Sequence, residues 1–368
     1  MIHRNEVGGE ILRFIKFLVF LLMWFAIVQM WSSILDKSEI TSPIHEYVLK
    51  QSDLQAPSTN SDEKEMLPNS DPTVQPIEEM LFIGMTEDEL LSTMGEPSRK
   101  EPSAYGYEWW IYNKDLKKYI QIGIEEGKVT TFYTNAPSLS WKGFHPTMTY
   151  EKWSPHWVEQ REWEFLYNLG SYTFALSDQD MRERPIMIEK DQAIQLYLDV
   201  HQGRRISGIR VMDLKTLLLH RPYSVRYIGD LPEVPELSEE EWIEIEKSYE
   251  RQVFDVVNVS RSIFNLPLLT WHEEVAKVAK GHSKDMQLHQ FFDHVSPMTG
   301  ELSDRLEAGK VHFKSAGENI AWNYIDGPDA HEGWMNSTGH RKNVMKEKFN
   351  YLGVGVIKRY YTQNFLYY

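Results

Sequence analysis

Hydrophobic positions divide the chain into an apolar head, a polar stretch and two patterned regions. Phe17 to Trp31 reads FLVFLLMWFAIVQMW, apolar except for Gln29, and Ile11, Leu12, Phe14 and Ile15 extend it backward. With Arg13 and Lys16 reaching outward along their aliphatic stems, Ile11 to about Leu35 is long enough for a hydrocarbon layer, which takes roughly 20 residues. The exit, Gln29-Met30-Trp31-Ser32-Ser33, puts bulky residues where a signal peptidase needs small ones, so the expectation over 1–35 is an uncleaved, single-pass transmembrane helix. Arg4, Arg13 and Lys16 lie within or before it while Asp36 and Glu39 follow, which places the C-terminal bulk of the chain outside the cell membrane. The following stretch, including APSTNSDEKEMLPNSDPTVQP, is too polar to offset its ordering entropy, and a disordered linker is expected over 36–80.

Residues 81–225 alternate between helical and strand patterns. In IGMTEDELLSTMGEPSRK, Thr86 and Glu89 form a capping box ahead of Leu90 and Leu91, and Gly95-Glu96-Pro97 ends the helix. YIQIGIEEGKVTTFYTN reads as a hairpin turning at Glu126-Gly127, with Ile120, Ile122 and Ile124 on one face. IQLYLDVHQGRRISGIRVMD repeats the hairpin with a turn at Gln202-Gly203, and MTYEKWSPHW reads as a divergent counterpart of MTEDELLSTM, so the module is expected to be a duplicated α/β unit. Its many Trp and Tyr residues read as core and interface rather than as a ligand box.

A second connector over 226–240, which includes LPEVPELSEE, leads into 241–368. Ser238 and Glu241 make another capping box, and Trp242, Ile245, Tyr249, Val253, Val256 and Val257 recur at helical spacing, with the glutamates between them as a solvated face. Thr270 is expected to cap a second helix whose stripe, Val275, Val278, Ala279, His282 and Met286, is buried. Ser315 to Asn323 reads as extended, Asp329 to about Asn336 as a helix, and the end as strands in which Val354 and Val356 alternate with glycines. The fold class is therefore α+β, with a mixed three-layer sandwich at the C-terminus.

Composition narrows the function. Hydrophobic residues at 42%, with 13% aromatics, supply cores for two domains, while a net charge of -15 argues against nucleic acid, which needs clustered basic surface. The absence of cysteine removes disulfides, thiolate metal sites and a thiol nucleophile.

The C-terminal motifs are more specific. VNVSRSIFNLPLLTWHEEVAKVAKGHSKDM, FFDHVSP, AGENIAWN, HEGWMNSTGHRKNVM and YLGVGV, in that order, resemble bacterial members of the CAP superfamily, the group of cysteine-rich secretory (SCP-like) and class 1 plant pathogenesis-related proteins. The preceding module is similar to the CAP-associated N-terminal domain of Gram-positive bacteria. The resemblance implies an α-β-α sandwich with a surface cleft in which His294, Glu318 and His340 face one another. The fourth cleft position, a glutamate in many eukaryotic members, is Ser337 here, three residues after Trp334. Glu332, two residues before Trp334, is a candidate to reach the cleft from a neighbouring turn.

Two imidazoles and a carboxylate suit Zn²⁺, the cleft's candidate ion being Zn²⁺ or Mg²⁺, with His294 and His340 as the candidate metal ligands and an open position for water. Without metal, Glu318 could orient a histidine as a general base. A Ser337 nucleophile paired with His340 is opposed by Thr338-Gly339, which reads as a helix break and cap. His282 reads as a satisfied core histidine, Asn258 and Arg261 as a polar brace, and Arg305 as the partner of a carboxylate. The resemblance implies no generally established catalytic activity. The expected role is binding a cell-surface or secreted protein, a wall component or a lipid, and the alternative is a metal-dependent or His/Glu-based hydrolase at the cell envelope.

Overall fold

The computed structural model describes residues 74–368, so the expected anchor and residues 36–73 of the expected linker lie outside them. Among the described residues no helix is long and apolar enough to cross a membrane. The chain runs through β1 (Gln75–Pro76), α1 (Glu87–Met94), β2 (Arg99–Pro102), β3 (Glu108–Tyr112), β4 (Ile120–Glu125), β5 (Lys128–Thr134) and β6 (Leu139–Ser140). At its described end the expected linker is structured: β1 pairs in parallel with β6, and Ile77 and Leu81 are buried. Thr86 and Glu89 form the expected box on α1, and the β4–β5 hairpin turns at Glu126 (φ 49) and Gly127 (φ 73), the paired positive values of a tight twisted turn.

There follow α2 (Tyr150–Trp153), β7 (Glu162–Tyr167), β8 (Gly170–Ala175), α3 (Asp178–Glu183), β9 (Ile186–Glu189), β10 (Gln192–Asp199), β11 (Arg205–Asp213), α4 (Leu214–His220) and β12 (Ser224–Ile228). A seven-stranded sheet has the order β2-β3-β4-β5-β11-β10-β9, and a three-stranded sheet the order β12-β8-β7. The two halves of the module meet where β5 pairs antiparallel with β11. They also share a local bond pattern. Gly84 N–H donates to Val129 O (2.7 Å) and Val129 N–H to Met85 O (2.8 Å); Thr147 N–H donates to Ile206 O (2.7 Å) and Ile206 N–H to Met148 O (3.0 Å). Gly84 and Thr147 both have positive φ, 88° and 78°, and Thr86 and Thr149 occupy the N-caps that follow.

The large sheet is buried on both faces, which is why β4 is buried at nearly every position rather than at alternate ones. One register row, Trp110, Ile122, Phe132, Val211 and Ile194, is apolar throughout. The opposite row, Ile111, Gln121, Tyr133, Arg210 and Gln195, is largely polar or aromatic.

The C-terminal region comprises α5 (Glu239–Ile263), β13 (Thr270–Trp271), α6 (Glu273–His289), α7 (Leu302–Ala308), β14 (Ser315–Trp322), α8 (Gly327–Asn336), α9 (Thr338–Met345), β15 (Tyr351–Ile357) and β16 (Tyr360–Tyr367). Its sheet, β13-β15-β16-β14, is antiparallel except for the short parallel pair β13–β15. Helix α6 lies directly on β15, because a Cβ on Gly353 would sit 2.2 Å from Ala276 N and one on Gly355 1.9 Å from Lys280 N. Helix α5 packs against β15 as well, and the intervening Val354 and Val356 are fully buried.

Two local expectations are corrected. The N-cap of α6 is His272, whose Nδ1 accepts from Val275 N–H, because Thr270 is drawn into β13. The glutamates of α5 are not all solvated: Glu246 accepts from Lys358 N–H (2.9 Å) and Glu250 from Val356 N–H (3.0 Å), both also pairing with Lys280. The polar brace is as expected. Asn258 exchanges hydrogen bonds with the backbone of Leu269, and buried Arg261 donates to the carbonyls of Pro267, Val344, Lys346 and Phe349.

Candidate functional site

The cleft is built at one end of α6 and β14. Asp285, near the end of α6, accepts from Ser296 Oγ and from Thr299 Oγ1 (3.2 Å), which pins the following loop. That loop closes on itself through Ser296 and Gly300, and Arg305 of α7 donates to the carbonyls of His294 (3.0 Å) and Gly300 (2.8 Å). His294 is thereby held beside β14, which carries Glu318 and Asn319. From α9, Asn343 Nδ2 donates to Glu318 O (3.1 Å) and Asn319 Oδ1 (2.9 Å), while Asn319 Nδ2 donates to His340 O (3.1 Å). Backbone-directed amides therefore lock the strand and helix that bear the titratable groups.

Glu318 is the centre of the arrangement. Its Oε1 accepts from His294 Nδ1 (3.0 Å) and its Oε2 from Arg305 Nη2 (2.7 Å); the Asn364 amide, oriented to donate, reaches Oε2 at 3.0 Å. Burial pushes the Glu318 carboxyl up, but the His294 hydrogen bond and the charges of Arg305 and His282 outweigh it, so the group lies below its ordinary value and is ionised. His294 is half exposed, with no hydrogen bond to Nε2 given by the described residues. His340, partly buried, has its ring centroid 6.4 Å from that of His294, and burial followed by the His294 charge lowers its pKa to about 4. His340 is thus neutral at pH 7.

His294, Glu318 and His340 come together, and Arg305 finds the carboxylate expected of it. Glu332 does not join them. On a helix, residues two apart point about 200° away from each other; Trp334 is packed on β14 with Nε1 donating to Ile320 O (2.9 Å), so Glu332 faces the N-terminal module. There it is buried and accepts from Tyr133 Oη (2.6 Å) and Ser207 Oγ (2.6 Å). Ser337 sits at the break between α8 and α9, its N–H on Trp334 O (3.2 Å), as a junction residue. His282 is buried, with Nε2 3.0 Å from Asp293 O, but it also lies 3.8 Å from Glu318 Oε1, closer to the cleft than a core histidine need be. Its stripe position on α6 concealed this, because a buried helix face looks the same whether it meets a sheet or a site. Asn319, Asn343 and Asn364 act through amide pairs that residue spacing does not reveal.

Chemically, Arg305, His294 and Asn364 all hydrogen-bond the carboxylate, and the imidazole nitrogens are its neighbouring metal donors. Among the described residues no group of three or more His, Cys, Asp or Glu side chains is arranged to hold a metal ion. His294 and His340 offer two donors for a metal, and Glu318 is already paired with Arg305 and His294.

Two family descriptions match the chain: CAP-associated N-terminal over residues 83–223 and cysteine-rich secretory protein family over residues 254–368. The uncharacterized membrane protein YlbC of Bacillus subtilis is 42% identical over 288 residues, covering 77% of this chain and 82% of that protein. A crystal structure of an extracellular protein containing a SCP domain from Bacillus anthracis has 43% sequence identity and a TM-score of 0.75, covering 83% of this chain and 99% of its own. A cysteine-rich secretory protein from Staphylococcus aureus shares the fold at a TM-score of 0.69 and 21% identity, covering 77% of this chain and 91% of its own.

Proposed function

Given that the chain belongs to the cysteine-rich secretory protein (CAP) family, with a CAP-associated N-terminal module ahead of its CAP domain, we propose that it is a membrane-tethered, extracellular binding protein. The apolar stretch 11–35 tethers it, and the His294–Glu318–His340 cleft engages a cell-surface protein, a wall component or a lipid. One observation carries the preference for binding over catalysis: Glu332 is turned away to Tyr133 and Ser207 and Ser337 stands at the fourth cleft position, so Glu318 is without a second carboxylate beside it. Glu318, paired with Arg305, is an orienting partner for His294 rather than itself a proton acceptor. The membrane protein name of the B. subtilis relative and the extracellular designation of the B. anthracis structure support the location.

Neutral His340 beside His294 favours a second reading, a metal-assisted hydrolase. The ion would be held by those two imidazoles and would supply Lewis acidity to a bound ligand or water. Titration of Zn²⁺ and Mg²⁺ into the protein and into a His294→Ala, His340→Ala double variant separates the readings. Under the binding reading the two proteins take up metal alike and weakly, and the double variant loses retention on cell-envelope fractions. Stoichiometric tight binding that disappears in the variant, together with hydrolysis of envelope esters or amides, would replace the binding reading with the enzymatic one.

A further inference from the structure

The three-stranded sheet β12-β8-β7 is polar on its outer face until its last row. Register sets Glu162 beside Ala175 and Ser224, Glu164 beside Thr173 and Arg226, and Leu166 beside Ser171 and Ile228, and directly opposed residues share a face. The first two rows carry charge, with Arg226 closed on Glu162 (2.8 Å). The last row is aliphatic: Leu166 is 74% and Ile228 79% exposed. Just beyond it, the two-residue turn Asn168-Leu169 leaves Leu169 fully exposed. Asn168 meets the positive φ of the turn (50°), so turn chemistry gives no reason for a leucine beside it.

This tip is held in shape by the face behind it. Phe165 stacks on Tyr172 (ring centroids 5.7 Å), Tyr172 on Tyr227 (6.2 Å), and Tyr172 Oη donates to Asp230 O. A Cβ on Gly229 would lie 2.8 Å from Gly170 Cα, so the exit of β12 is pressed onto the hairpin. Half-exposed Tyr227 adds a ring of the type that settles at a membrane–water boundary.

The occupant is read from where the chain enters the structure. The expected span ends near Leu35, and the described residues begin at 74 with β1, which pairs with β6 of the same module that carries the tip. A polar chain the length of 36–73 has an r.m.s. reach on the order of 35 Å, so a weak apolar contact with the bilayer is made at an effective concentration in the millimolar range. Glu164 and Asp230 flank the tip and Arg226 is engaged by Glu162, so the recognised feature is hydrocarbon rather than an anionic headgroup.

We propose that the β7–β8 turn and the end of β12 dip into the outer face of the membrane, seating Leu166, Leu169 and Ile228 at the boundary between headgroups and acyl chains. This rests on the tether reading and goes beyond it, from attachment through a chain to a fixed orientation of the protein on a lipid surface.

The chain has no cysteine, so Leu169→Cys takes a single environment-sensitive fluorophore. The full chain is reconstituted in phosphatidylcholine vesicles with plain or dibrominated acyl chains. Emission at 169 should fall about twofold with the brominated lipid, as for a side chain at the headgroup–acyl boundary. A label placed by Lys348→Cys, exposed on the CAP domain, should not change. Adding Leu166→Asp and Ile228→Asp should restore the emission at 169 with the melting temperature unchanged, because both side chains are exposed. Resistance to alkaline carbonate extraction reports the tether separately. A chain that resists extraction but is unquenched at 169, as when a protein or a second copy covers the tip instead, overturns the proposal and leaves the tether standing. Quenching that survives the two aspartates, or that is equal at 348, overturns it as well. Quenching at 169 in a chain that carbonate then strips from the vesicles retires the tether and upholds the tip.

Discussion

At the residue scale, the cleft is decided by Arg305 and Glu318. The side chains of both are about 95% buried, and they meet at 2.7 Å with additional hydrogen bonds from each to its surroundings. Such a pair is worth little over an apolar replacement of both partners, but breaking it by removing one leaves a buried charge. Arg305→Met strands the Glu318 carboxylate and frees the loop carrying His294, and is expected to cost about 3 kcal/mol. Glu318→Gln leaves Arg305 bonded to the carbonyls of His294 and Gly300 and should cost less. Urea unfolding of the two variants checks the order; an Arg305→Met variant as stable as the parent would mean that the loop, not the ion pair, holds the cleft.

At the element scale, close approach of α6 to β15 sets the thickness of the sandwich. A Cβ on Gly355 would lie 1.9 Å from Lys280 N and 2.2 Å from its Cα, both rigid backbone atoms. Gly355→Ala should therefore destabilise the protein by about 3 kcal/mol, at the upper end of overpacking costs. Gly339→Ala, with nothing within 4 Å of the new Cβ, is the control and should be near neutral. Calorimetric melting that shifts equally for both would contradict the contact. Local signals at this scale were readable before the structure. The boxes at Thr86 and Ser238 and the Glu126-Gly127 turn each rest on chemistry within a few residues. The misassigned positions depend on distant partners. Thr270 is diverted from capping because β13 pairs with Tyr351 and Leu352, 81 residues away in register, and Glu246 and Glu250 are buried by the backbone of β15 and its turn. In the cleft, His294, Glu318 and His340 were legible through motif resemblance, whereas His282 and the asparagine braces become visible only when α6, α9 and β16 converge on β14.

At the scale of the whole molecule, the N-terminal module and the CAP domain share one core, with the polar row of the large sheet against α5 and α8. Most charges buried at this junction are paired: Arg210 with Asp326 (2.8 Å), Arg341 with Asp199 (2.9 Å) and Arg99 with Asp255 (2.6 Å). Glu332 is different. Its carboxyl accepts from Tyr133 and Ser207, and no cation pairs with it among the described residues. Burial raises its pKa from 4.5 to about 7, with Asp199 and Asp329 adding like charge against the two hydrogen bonds. Because the folded value lies above the unfolded one, the fold favours the protonated form. The stability associated with this group is fully present below about pH 4.5 and is lost as pH rises through about 7, to a total on the order of 3 kcal/mol. Nearby His331, lowered to about 3, and His340, lowered to about 4, act in the opposite sense, since burial makes their protonation unfavourable as pH falls. The contribution of Glu332 is isolated by substituting it alone. Glu332→Gln keeps an amide able to bond both hydroxyls and removes the titration, so its stability relative to the parent should climb by about 2.5 kcal/mol between pH 5 and pH 8. Hydrogen exchange on β10 and β11 should show the same crossover, because these strands carry the module side of the junction. A constant offset between variant and parent across that pH range would show that Glu332 does not change its protonation there, and that the junction is held independently of it.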